Sequence, residues 1–540
     1  MKISAFCAFC AFCAIALAMS VSVFGRTSVP AAPTLTVGAE FKGLRFDWVK
    51  VPGATWYQLE YRAHQTGAFV QAGDDFPASA TSTHFSFPLH LYDWTYARYQ
   101  LAACNSAGCS RSAAVSVSAL RRDAVGYFKA AAPVAGGHFG DDIDLSPDGY
   151  NFVAAAPGET TRSGDKSEGG AVYVFRRGPN GKWVQRARLE PHQLSFTEEG
   201  IGLKVAISAT GDTVAVGMPR FITTDPGDEG GEVDVFHFDG KSWSRARIPR
   251  APVFVFGDSV ALSESGNTLA VGVRDNNSSV VVYRLVNGVW TNVRSISVSS
   301  LGYFELCDHP ILSRDGTTLA ERCDDLGSAT RPRRDYVRVH SGSNWSVRTE
   351  IPLAFPVSNE TVFGHIGFGV DRTGDTIAVQ FTQVESGLNG SAQVKVYKRA
   401  SGGYSQVAAF APGAWRSETY KFVYGDALSV SGDGQTIVVA DSADNGQGWG
   451  PRAAPLISGD AQTGAAYVYR LGTSWKLANM VKPNYNPNPG QAHIFPEEVV
   501  LSRSGKTLII AAPRESSSAK GIDGNWANSD LGSSGAVFMY

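Results

Sequence analysis

Charge is what this chain has least of. Only 18% of its 540 residues are Asp, Glu, Lys or Arg, and 48 basic against 50 acidic side chains leave a formal net charge of −2. With no basic surplus there is no electrostatic footprint for nucleic acid or an anionic membrane. So few charges, beside 58 glycines and 11% aromatics, also argue against coiled coil or disorder and suit a turn-rich all-β chain. Long apolar runs are missing after the opening segment, so no later stretch is expected to cross a bilayer as a helix. Catalytic signatures are missing too. There is no G-x-S-x-G and no H-E-x-x-H, and the ten histidines are scattered without metal-ligand spacing.

Cysteine is sparse and unevenly placed. Cys7, Cys10 and Cys13 fall in an Ala-rich apolar run from Ile3 to about Phe24 that follows Met1-Lys2. This reads as a secretory signal peptide, residues 1–25, with a retained anchor as the alternative. The bulky Phe before each Cys argues against lipoprotein processing. A secreted protein, extracellular or periplasmic, is therefore expected, with no membrane span after cleavage. The remaining four, Cys104, Cys109, Cys307 and Cys323, are an even set in an exported chain and suggest two disulfides. No C-x2-C or H-x3-H accompanies them, so zinc is not expected.

Residues 31–119 alternate apolar and polar over short runs separated by turn residues, the pattern of a small β-sandwich. Leu44-Arg45-Phe46-Asp47-Trp48, Trp56-Tyr57-x-Leu59-x-Tyr61 and Tyr99-x-Leu101-x-Ala103-x-Asn105-x-x-Gly108 carry it. On these residues the segment resembles a fibronectin type III domain. Cys104 and Cys109 flank the loop Asn105–Gly108 and would clamp that turn. Spacer or partner-binding module are the roles open to such a domain.

From residue 123 onward one unit repeats. An apolar residue, usually followed by Gly, opens an alternating strand, and a Gly turn follows ten residues later: Phe139 to Gly149, Ile201 to Gly211, Phe256 to Gly266, Leu306 to Gly316, Tyr424 to Gly434, Phe495 to Gly505. Phe363 to Gly374 is one residue longer and suggests a bulge. Asp148-Gly149, Asp315-Gly316 and Asp433-Gly434 supply tight hairpin turns. A second strand, a strand of the type Gly170-Ala171-Val172-Tyr173-Val174-Phe175 and a fourth strand opened by Trp or Tyr complete each unit. The seventh unit stops after its third strand at Tyr540. Gly126-Tyr127, ahead of the first unit, has the character of the missing fourth strand. Such a repeat implies a closed seven-bladed β-propeller over residues 123–540, with residues 123–132 completing the last blade.

Phe256-Gly257-x-Ser259-Val260-Ala261-Leu262-Ser263, followed by Leu269-Ala270-Val271-Gly272 and by strands like Gly170–Phe175, resembles the FG-GAP repeat of integrin α-subunit propellers and of bacterial exported proteins. That resemblance implies an extracellular binding or adhesion role. It also brings the D-x-D-x-D-G-x-x-x-D calcium loop to mind, and no intact copy is present. The nearest stretches, Asp441–Gly446 and Asp225–Gly230, have the wrong spacing and read as solvated loops. No cofactor is expected, although calcium stays open. Cys307 stands where the unit has Gly, and Cys323 lies past the Gly316 turn, so a cross-strand disulfide is expected.

The third position of the unit carries Asp141, Asp258, Asp308, Asp426 and Glu497. If the first strand is innermost, these carboxylates would ring one mouth of the central channel and offer a cation or polyhydroxyl-ligand site. Capping of nearby backbone amides, or plain solvation, is the other reading. The favoured function is a non-enzymatic binding or adhesion-type protein with a protein or glycan ligand. A secreted glycan-active hydrolase or lyase is the runner-up, with a carboxylate pair as its chemistry. A structural surface-layer component is third.

Overall fold

The computed structural model describes residues 27–92, 96–159, 170–191, 203–219, 231–248, 255–274, 278–297, 305–325, 334–342, 344–353, 367–384, 390–411, 424–442, 444, 464–482, 495–525 and 527–540. Residues 1–25, expected to be a leader, and the unit openings Ile201-Gly202 and Phe363-Gly364 lie outside these. Almost all regular structure is β. Among the described residues there are seven sheets of four strands, preceded by one of three and one of six.

The two N-terminal sheets follow from period-two alternation. In strand Gly43–Trp48, Leu44, Phe46 and Trp48 are buried while Arg45 is exposed. Strand Trp56–Arg62 turns Tyr57 and Leu59 to the same core and pairs along its length with Arg98–Asn105. Cys104 and Cys109 face each other across the hairpin, with Asn105 opposite Gly108, and are joined in a disulfide. The bond clamps the two-residue turn at Ser106-Ala107, as the spacing suggested.

Six of the four-stranded sheets run in sequence order and the seventh takes its outer strand from residues 126–128; all are antiparallel. The turn between first and second strands is the same device seven times. A side chain at the end of the first strand accepts the amide N–H five residues on: Ser146 from Asn151, Ser208 from Thr213, Ser263 from Thr268, Ser313 from Thr318, Asp371 from Thr376, Ser431 from Thr436 and Ser502 from Thr507. Between them lies a four-residue loop, closed by the amide of Ser146 on the carbonyl of Asn151. This is longer than the two-residue hairpin that an Asp-Gly pair suggests. The glycine supplies its left-handed residue, φ +75° at Gly149, where a Cβ would be strained. The aspartate instead bonds the capping hydroxyl, as Asp148 does with Ser146.

The first strands, Ile143–Leu145, Lys204–Ile207, Val255–Leu262, Glu305–Leu312, Phe368–Val370, Tyr424–Val430 and Val499–Leu501, touch one another in that order, and the last touches the first. They are therefore innermost. Their unpaired edges would leave amides without partners, and side chains from the neighbouring unit supply several. Glu498 accepts from Ile143, Asp142 from Val205, Asp144 from Ile207 and Ser429 from Leu501. The closing strand Gly126–Phe128 pairs antiparallel with Ala536–Met539, setting Tyr127 opposite Phe538. Repeated four-stranded sheets in this arrangement resemble a β-propeller.

Two details depart from strict alternation. In the first strand of the third unit the ladder skips from Phe256 to Val260, so Gly257, Asp258 and Ser259 bulge out of it. The expected aromatic stands first or second in six of the seven fourth strands; Trp345 instead precedes its strand, Val347–Leu353, with φ +50°, and is fully buried.

Candidate functional site

The turns between first and second strands mark one end of the ring, and the starts of the first strands mark the other. The turn end is closed. Backbone bonds run from turn to turn: Ala209 to Glu264, Glu264 to Arg314, Asp315 to Arg372, Arg372 to Gly432, Asp433 to Arg503 and Arg503 to Pro147, amide to carbonyl in each case. Side chains then bridge units that are not neighbours. Arg314, from the fourth unit, reaches Asp144 in the first and the carbonyls of Leu145 and Ile207. Glu264, from the third, accepts from Arg372 in the fifth at 3.0 Å and from Arg503 in the seventh at 2.6 Å. These ion pairs lie across the axis and plug it. The sequence carried the signal, since Glu264, Arg314, Arg372 and Arg503 each directly follow the turn's capping residue, but ordinary surface charge there looks the same.

The opposite end is acidic around one lysine. Lys204 lies 3.6 Å from Asp142. Its pKa is raised, first by Asp142 and further by Glu498, Asp141 and Asp258, against the effect of burial. Asp142 and Glu498 share a hydrogen bond. Both carboxyls are pushed up, by burial first. Asp141 and Glu497 are raised as well, again by burial first, and Glu497 next by the charge of Asp141. Glu497 is nevertheless exposed to solvent.

Of the five carboxylates read from the sequence, Asp141, Asp258 and Glu497 therefore gather at this mouth. Asp308 faces Arg322 in the ladder, and Asp426 lies in the ladder skip between Tyr424 and Leu428; the side chains of both fall outside the described residues. Sequence reasoning missed Asp142, Lys204 and Glu498. They occupy the next position of the unit, where Asp142 and Glu498 accept from amides of the neighbouring unit.

Buried ion pairs lie just past the second strands on the mouth side. Three residues past the second strand, Glu159 accepts from Tyr173 at 2.5 Å and pairs with Arg188. Asp444 pairs with Tyr467 and Lys482 in the sixth unit. Glu515 takes Lys129 at 2.6 Å in the seventh. Asp444 is thus buried structure, where the sequence suggested a solvated loop; Asp225–Gly230 lies outside the described residues. Among the described residues no group of three or more His, Cys, Asp or Glu is arranged to hold a metal ion.

Cys323 is disulfide-bonded, and its ladder partner is Cys307. No described helix is long and apolar enough to cross a membrane.

No family model matches this chain, and no curated protein matches it. Solved structures do. The WD40 repeats of RRP9 align over 76% of this chain and 98% of theirs at 9% identity and a TM-score of 0.42. The C-terminal WD40 domain of Sif2 aligns over 76% and 96% at 12% identity, TM-score 0.38. A periplasmic gluconolactonase of Pseudomonas aeruginosa aligns over 81% and 94% at 14% identity, TM-score 0.34.

Proposed function

We propose that this is an exported binding protein. A fibronectin type III-like sandwich, residues 31–119, precedes a seven-bladed propeller of FG-GAP type, residues 123–540, closed by residues 123–132. The seven four-stranded sheets, the ring of first strands and the pairing of Tyr127 with Phe538 support the architecture. The leader at residues 1–25 and the disulfide Cys104–Cys109 support export.

One observation carries the placement of the binding face. The turn end is sealed across the axis by Arg314–Asp144 and by Glu264 with Arg372 and Arg503, which leaves the acidic mouth to meet a ligand. The chemistry there favours a polyhydroxylated, glycan-class ligand over a free cation. Lys204 already neutralises part of the carboxylate charge, and ammonium beside carboxylates offers donors and acceptors together, as sugar hydroxyls require. The carboxyl pair Asp142 and Glu498 favours acid–base chemistry as a second reading. Being directly hydrogen-bonded, however, the two stand closer than the roughly 5–10 Å that glycoside hydrolysis uses.

The test is a glycan and matrix-protein array with the chain from residue 27, followed by titration of the best glycan. Combined Asp141→Ala, Asp258→Ala and Glu497→Ala should weaken binding about tenfold or more, since one hydrogen bond to a charged group is worth ~1.5–3 kcal/mol. Unchanged affinity would remove the mouth from the proposal. Release of shortened sugars during incubation would favour the hydrolase or lyase.

A further inference from the structure

The seam where the ring closes has the least ladder to hold it. Strand Gly126–Phe128 has three residues, against five to nine in the other six fourth strands. It is also the one strand that must come from far away in sequence. We infer that the N-terminal two-sheet unit acts as a clasp on this seam, rather than as a free spacer.

Three sets of contacts place it there. First, Phe41 lies against Gly126, where a Cβ would come within 2.3 Å of its ring. The same ring meets Phe128 edge-on at 5.8 Å and Trp183 of the first unit at 6.4 Å, so it touches both the closing strand and the first unit. Second, Lys42 and His90 grip the turn of the last unit. Lys42 donates through Nζ to the Lys506 carbonyl and Thr507 Oγ1, and through its amide to the Ala124 carbonyl. His90, fully buried, reaches the Gly505 carbonyl at 2.8 Å. Third, the apolar core is shared. Leu44, Phe46, Tyr57 and Leu101 belong to one cluster with Val438, Val499, Phe538 and Tyr540, and Asn479 of the sixth unit donates to the Tyr92 carbonyl.

A core shared in this way couples two parts into one cooperative unit. Loosening the clasp should therefore open the seam before the rest of the ring. It also grips the plugged end, which keeps the mouth side clear.

Hydrogen exchange on the full chain tests this, with Phe41→Ala compared to the unaltered protein. Amides of 126–128 and 536–539 should exchange about tenfold faster or more, while Thr213–Met218 in the second unit should not change. Trypsin should cut sooner at Arg121 and Arg122, in the short helix Arg121–Ala124 that joins the two parts. Gly126→Ala, which displaces the Phe41 ring from the other side, should give the same pattern. If Phe41→Ala is not recovered folded, Phe41→Leu should give a smaller change of the same kind. Faster cutting with an unaltered seam would overturn the proposal. So would a uniform rise across all seven sheets, which would mean general destabilisation.

Discussion

Arg314 and Asp144 meet across the ring axis although they belong to the fourth and first units. Asp144 at the same time accepts the amide of Ile207. Truncating Arg314→Ala would leave a largely buried carboxylate without its cation. The expected loss is about 2–4 kcal/mol, above that of an exposed pair and below that of a fully buried one. Chemical denaturation measures it. An Arg314→Lys variant should recover only part, because a lysine cannot reach the Asp144 carboxylate and the Leu145 carbonyl with one planar fork. A change under ~0.5 kcal/mol would show that the plug contributes nothing to stability.

Lys129 and Glu515 form a fully secluded pair, with side-chain exposures of 0% and 2%. Lys129 also donates to the Ser517 carbonyl and to Ser534 Oγ, so three segments of the last sheet meet on one ammonium. Burial lowers its pKa, against the opposing pull of Glu515. Removing the cation alone, Lys129→Met, should cost about 3–5 kcal/mol. Adding Glu515→Gln to that variant should restore part of the loss, because the uncompensated charge goes with it. If the double variant is no more stable than the single one, the hydrogen bonds matter more than the charge.

The strand order and the positions of the seven turns were legible because they rest on local chemistry. Gly149 and its six counterparts sit where only a left-handed residue fits, and the strands before and after them keep period two. The closing strand was legible from Gly126-Tyr127 alone, although the reason for Gly126 was not, since the neighbour that excludes a Cβ is Phe41 from the other sheet unit. Likewise the carboxylates at the third position of the unit could be counted from the sequence. Their partner Lys204, and the contact between Asp142 and Glu498, could not. Those depend on how adjacent units offset, and no repeat within a unit encodes that offset.

Cys307 and Cys323 face each other in the fourth unit, where the sheet also buries Glu321 and Arg338 in place of apolar side chains. Peptide mapping without reduction should recover a 307–323 linkage beside 104–109. Reduction of the first should cost about 3 kcal/mol, the value expected for a closed loop of about 15 residues. Free thiols at both positions in protein purified from an oxidising compartment would remove the staple from this account.

His90 gives the docked N-terminal unit a pH dependence of definite sign. It is fully buried, and its pKa is lowered from 6.5 to about 3, by burial first and then by the nearby cations Lys42 and Arg470, with the Gly505 and Tyr540 carbonyls opposing. The folded chain therefore holds His90 neutral where the unfolded chain would protonate it. Stability from this group is complete above about pH 6.5 and falls away as the pH drops towards 3, on the order of 1 kcal/mol per pH unit. Carboxyls with raised values, Glu498 among them, act in the opposite sense, because they bind protons more readily when folded. Comparison with His90→Gln, which can still donate to the Gly505 carbonyl but does not titrate, cancels that background. The stability of the unaltered chain relative to this variant should be flat above pH 7 and decline through pH 5 and 4. A difference that stays level across that range would mean that His90 is solvated or protonated in the folded chain.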